Sequence, residues 1–98
     1  MTLTQLQYVV AIAETKSMNK AAAALFVSQP ALSGTIKDLE EELQTELFIR
    51  TNKGIVITTE GQEFLSYARQ MVELGNLVEE RFVNKTIAKK KFSVSMQH

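Results

Sequence analysis

The sequence predicts a mainly α-helical domain in which three helices and a two-stranded hairpin are followed by one long helix. Apolar residues recur at helical spacings of three and four along four separate stretches. Each stretch opens with a serine or threonine suited to cap a helix: Thr2, Ser17, Ser28, and Thr58 or Thr59. Between the third and fourth stretches, Glu46 to Arg50 and Gly54 to Thr58 are rich in Phe, Ile, Val and Thr and flank the polar tip Thr51-Asn52-Lys53-Gly54, which is a hairpin pattern.

Thr2 and Gln5 form a capping-box pair, in which the hydroxyl accepts an early backbone N–H and the amide side chain accepts the cap residue's own N–H. Helix 1 is therefore expected over roughly 3–15, with Leu3, Leu6, Val10 and Ala13 as its stripe and Val9 and Ile12 widening it. Ser17 caps a short second helix, Met18 to Phe26, whose Ala21, Ala22 and Leu25 permit close packing. After the tight connection Val27-Ser28, Pro30 falls in the first turn of a third helix, where its missing N–H costs nothing. That helix, roughly 29–43, buries Leu32, Ile36, Leu39 and Leu43 and turns Ser33, Gly34, Lys37 and Glu41 outward. The long pattern runs from Gln62 to about Asn84, with Phe64, Ala68, Met71, Gly75, Val78 and Phe82 alternating at four and three. A helix of that length on so small a domain cannot bury its whole apolar side alone, so this stripe is expected to pair with a second copy.

At 98 residues, with 45% hydrophobic and 22% charged side chains, the chain has the composition of one globular domain. No apolar run approaches the about 18 residues of a membrane span, and the start lacks a basic signal-peptide segment, so the expected compartment is the cytoplasm. Cysteine is absent, which removes disulfides and thiolate chemistry. Large apolar residues such as Tyr8, Met18 and Phe26 are read as core. The one histidine, His98, has no clustered partner, and no nucleophile, base and oxyanion donor assemble, so no metal, cofactor or catalytic group is expected. Glu40-Glu41-Glu42 reads as a solvated helix face, or as an element orienting Lys37, rather than an acid–base site.

Two short helices joined by a tight turn, with small polar side chains at the exposed N-terminal end of the second, form a helix-turn-helix layout. Gln29, Ser33 and Lys37 are placed to reach base edges or phosphates in a major groove, and Asn52 and Lys53 at the hairpin tip to enter an adjacent minor groove. Net charge gives no support: the formal charge is zero, and residues 1–57 hold five Lys/Arg against six Asp/Glu. That leaves a rival reading, an interaction module whose helices bind protein and whose DNA face is idle. Placement of the charges has to decide.

The residues resemble the LysR-type transcriptional regulators over nearly the whole chain, from Leu3 to about residue 85. The resemblance lies in Ser17 with Ala21-Ala22, in Val27-Ser28-Gln29-Pro30-Ala31-Leu32-Ser33, in Ile36-Lys37 with Leu39-Glu40-Glu41, in Leu47-Phe48 with Arg50, and in Thr58 with Gly61. It implies a winged helix-turn-helix DNA-binding domain (1–58), a linker helix for dimerisation (59–88), and a hinge with the start of a second, effector-binding domain (89–98). It also implies double-stranded DNA as partner, a homodimer with a tetramer open for the full-length protein, and a small-molecule effector outside this stretch. Gln29, Pro30 and Ser33 are then expected near bases, with Ala31 and Gly34 on the same contact face, Ser28 and Lys37 near the phosphate backbone, and Lys53 in the minor groove. For Arg50 an ion pair within the domain and a phosphate contact stay open. Two positions depart from the family pattern: Gly34-Thr35 stands where long basic or amide side chains are common, and Gln44 where a glycine usually ends the recognition helix.

Overall fold

A computed structural model of the chain describes residues 1–84. Helix α1, Leu3–Thr15, is held at its start by the expected capping box: Thr2 Oγ1 accepts from Gln5 N at 3.2 Å and Gln5 Oε1 from Thr2 N at 2.9 Å. Helix α2, Met18–Leu25, is capped by Ser17, and α3, Gln29–Leu43, by Ser28, whose hydroxyl accepts from Ala31 N at 3.2 Å. Strands β1, Phe48–Thr51, and β2, Gly54–Ile57, pair antiparallel from Phe48↔Ile57 to Thr51↔Gly54, leaving Asn52 and Lys53 as the turn. Helix α4, Thr59–Val78, continues into a π-helical segment, Glu79–Asn84. This is the winged helix-turn-helix architecture that the sequence predicts, with a long helix appended. The expectations for residues 85–98, namely the last turn of the linker helix, the Lys89-Lys90-Lys91 hinge and a strand up to Met96, lie outside the described residues.

One core joins all the elements. Val9 and Ile12 of α1, Ala21 of α2, Leu32 and Leu39 of α3, Leu47, Ile55, and Leu65 of α4 are buried together, and Leu6 of α1 and Ala68 of α4 are buried as well. Docking of the start of α4 against the Glu46-Leu47 backbone explains two motif positions. The Thr58 hydroxyl donates to Glu46 O (2.6 Å) and lies 3.2 Å from Leu47 O, while it accepts from Gly61 N at 2.9 Å. A Cβ on Gly61 would stand 2.3 Å from Leu47 O, so only glycine lets the helix meet that carbonyl.

The structure departs from the sequence reading at three places. Phe26, expected in the core, is 93% exposed. It occupies the left-handed residue that ends α2 (φ 58°), where Val27 N returns to Ala22 O at 3.0 Å and Phe26 N to Ala23 O at 3.2 Å. This closure turns Val27 inward and Phe26 out. The same motif ends α3 at Gln44 (φ 54°), whose side-chain amide also donates to Glu41 O at 2.7 Å; a glutamine thus takes the place of the usual glycine. Glu40 neither faces solvent as a bare charge nor orients Lys37: its Oε2 accepts from Leu47 N (2.7 Å) and Phe48 N (3.2 Å) and anchors the wing to α3.

The third departure concerns the long helix. Ala68, assigned to a partner copy, is 0% exposed within its own chain, and Phe64 packs on the domain core. Gly75 lies under Leu3, whose Cδ2 would be 2.9 Å from a Cβ there. Half of the expected stripe therefore faces α1, because the domain uses the first four turns of α4 for its own core. Met71, Val78 and Phe82 remain exposed, joined by Tyr67, Leu74 and Leu77, which the heptad reading left out.

Candidate nucleic-acid interface

Helix α3 presents the face predicted for it. Its buried stripe, Leu32, Ile36 and Leu39, fixes the rod, and Pro30, Ala31, Gly34 and Lys37 are exposed on the other side, with Gln29 and Ser33 half-buried at the edge facing the wing. The Ser28 hydroxyl is occupied as the cap, so this residue shapes the helix start, where free N–H groups and the helix dipole favour an anion. No side chain lies within 4 Å of the place a Cβ would take on Gly34, so the glycine leaves a gap on the outer face of α3.

The wing is tied to the helices at three points. Ile55 N donates to Lys16 O at 3.2 Å, Glu40 accepts from the chain entering β1, and Arg50 Nη2 donates to Ser33 Oγ at 2.5 Å. Close approach of β2 to the α1–α2 turn requires Gly54 (φ 124°), since a Cβ would meet Lys16 O at 3.0 Å. At the tip, Thr51 Oγ1 donates to Gly54 O (2.9 Å) and accepts from Lys53 N (3.2 Å), which sets the direction of Asn52 and Lys53.

These ties create an open groove of about 590 Å³ lined by Lys16, Lys20, Gln29, Arg50, Asn52 and Lys53, beside a smaller hollow of about 210 Å³ that includes Ser33, Lys37 and Arg50. All five Lys/Arg residues of the first 57 thus border one continuous region. Five of the six acids line neither hollow, Glu14 pairing with Arg69 at 3.3 Å and Glu42 with the Met1 amino group at 2.9 Å, while Glu40, which lines the smaller one, is engaged by two backbone N–H groups. Asp38, Glu41 and Glu46 are exposed and line neither hollow. A chain of zero formal charge therefore carries a cationic face by segregation, and such a face attracts a polyanion.

Of the residues singled out in the sequence, Gln29, Ser33, Lys37, Arg50, Asn52 and Lys53 come together around this groove, while Pro30, Ala31 and Gly34 form its flank on α3. Arg50 makes a hydrogen bond to Ser33 instead of an ion pair within the domain. Lys16 and Lys20 were not legible as part of the site. Only their closeness to the Ser17 cap hinted at it, since that places both at the turn onto which the wing folds. Among the described residues, no group of three His, Cys, Asp or Glu side chains could hold a metal, and no helix is long and apolar enough to cross a membrane.

Comparison with known proteins agrees with this geometry. Residues 3–62 match the family described as "Bacterial regulatory helix-turn-helix protein, lysR family". The chain is 40% identical over 74 residues to the "Uncharacterized HTH-type transcriptional regulator YxjO" of Bacillus subtilis (strain 168), covering 76% of this chain and 25% of that protein. Among solved structures, the CbnR DNA-binding domain in complex with DNA superposes with a TM-score of 0.78 at 36% identity, covering 88% of this chain and 99% of that one. The BenM DNA-binding domain on its catB site 1 DNA gives 0.75 at 40% identity, covering 90% and 97%. The chain spans about a quarter of the length of the first curated relatives it matches. On the match of residues 3–62 and the shared winged helix-turn-helix, the chain belongs to the lysR family of bacterial regulatory helix-turn-helix proteins.

Proposed function

We propose that this chain is the sequence-specific DNA-binding part of a transcriptional regulator, acting by binding rather than catalysis in the bacterial cytoplasm. Helix α3 enters the major groove with Gln29, Pro30 and Ser33 toward the bases, and Asn52 and Lys53 approach the adjacent minor groove. Lys16, Lys20, Lys37 and Arg50 lie along the phosphates. The observation that carries this reading is the gathering of all five cations of residues 1–57 around the exposed end of α3, with the acids engaged or turned away. It also removes the support that zero net charge lent to a protein-binding module. Two relatives of this fold have been solved with DNA.

The active unit is a homodimer. Tyr67, Met71, Leu74 and Val78, at spacings of four, three and four, leave an apolar stripe exposed along the outer side of α4, which a second copy would cover. A small-molecule effector acts on a further domain of the full-length protein. The test is retardation of duplex DNA across a salt series. If every cation of the face neutralises one phosphate, log K falls against log salt with a slope of roughly −4.5 per protomer, at about 0.9 per phosphate. Affinity indifferent to salt, or no binding to any duplex of a random pool at low salt, would refute the reading.

A further inference from the structure

The hydrogen bond between Arg50 and Ser33 joins the wing to the helix assigned to base readout, and it constrains what Ser33 can read. A serine hydroxyl has one proton to donate and two lone pairs to accept with. In the structure a lone pair takes the Arg50 Nη2–H at 2.5 Å, so the hydroxyl proton must point away from the guanidinium. Among the described residues Ser33 Oγ donates to no other group, and Arg50 makes no other hydrogen bond or ion pair. The Ser33 proton therefore remains available for a further acceptor. A cationic donor at the oxygen also strengthens that proton as a donor, as in any chain of coupled hydrogen bonds.

We propose that Arg50 is a positioning residue that biases Ser33 toward donating, because an oxygen already accepting from a cation is a stronger donor and a weaker acceptor through its remaining lone pair, so that this position favours a base edge offering an acceptor over cytosine, whose major-groove edge offers only the N4 amino donor. The inference rests on the DNA-binding reading above. Arg50 keeps its remaining N–H donors for phosphate, so its two roles have separable signatures. A phosphate contact changes affinity equally on all sequences together with the salt slope, whereas a positioning role changes the preference at one base pair.

The experiment is selection of bound duplexes from a random pool with the wild-type chain, Ser33→Ala, Arg50→Met and Arg50→Lys, each first shown by melting to be folded. Ser33→Ala identifies the base position that depends on the hydroxyl. There, wild type should be depleted of cytosine, and Arg50→Met should relieve that depletion by roughly 3- to 10-fold, the worth of one net hydrogen bond. Arg50→Lys, which can still donate to Ser33, should restore most of it. Uniform weakening by Arg50→Met with an unchanged base profile would overturn the positioning role and leave DNA binding standing. Failure of the wild-type chain to select any sequence would instead remove the functional reading and this inference with it.

Discussion

Two glycine-to-alanine substitutions of identical chemistry should move stability in opposite directions. Gly34 lies in the interior of α3 with nothing within 4 Å of its missing Cβ, and its φ is not positive. Alanine there removes about 1 kcal/mol of backbone entropy cost and meets no neighbour, so the domain gains close to that amount. Gly61, in the first turn of α4, is the reverse: the added Cβ stands 2.3 Å from Leu47 O and 2.9 Å from Ile57 Cγ2. The carbonyl is backbone and is held by Thr58, so relief requires moving the helix, at about 1–3 kcal/mol beyond the same helix-propensity gain. With roughly 4–8 °C per kcal/mol for a domain of this size, Gly34→Ala should raise Tm by about that much. Gly61→Ala should lower it despite being the better helix former. The measurement is thermal unfolding by circular dichroism at one fixed protein concentration, because association with a second copy also shifts Tm. A Tm that rises for Gly61→Ala, or falls for Gly34→Ala, would show that the close approach of α4 to Leu47, or the open space over α3, is not as described.

Gly34→Arg restores a long cation on the contact face and should tighten binding to random DNA and steepen the salt slope by about one unit, read by retardation across a salt series; weaker binding by a folded variant would mean that the DNA backbone approaches α3 too closely for any side chain. Gln44→Gly should raise urea-unfolding stability by about 0.5–1 kcal/mol, since the left-handed residue loses its steric penalty and only an exposed amide hydrogen bond is given up; no gain would mean that the Gln44–Glu41 bond offsets the strain. Met71→Glu combined with Leu74→Glu should convert a sedimenting dimer into a folded monomer whose Tm no longer depends on protein concentration, because both side chains are exposed in the single chain; a wild-type chain already monomeric at tens of micromolar contradicts the pairing proposed for α4.

Local chemistry made most of the elements readable in advance. Thr2, Ser17, Ser28 and Thr58 each cap the helix that they were expected to cap, and α1 and α3 run over the expected spans, because a cap and a 3.6-residue repeat act within a few residues of themselves. The outward face of α3 followed from its buried stripe for the same reason. Phe26 was misread because hydrophobicity says nothing about direction once the backbone enters a left-handed turn; its neighbour Val27 went inward instead. Periodicity along α4 located an apolar side, but Leu65 and Ala68 face α1 while Tyr67, Met71 and Leu74 face out. Only the docking angle of the two helices sorts one stripe from the other. Charge shows the limit most clearly. A sum over the chain is zero, yet Lys16 and Lys20 meet Arg50 and Lys53 because Ile55 N reaches Lys16 O and folds the wing onto the α1–α2 turn. Caps and repeats are decided between near neighbours in the chain, whereas the cationic groove is decided by contacts between residues some forty positions apart, where loop closure and packing govern which side chains meet.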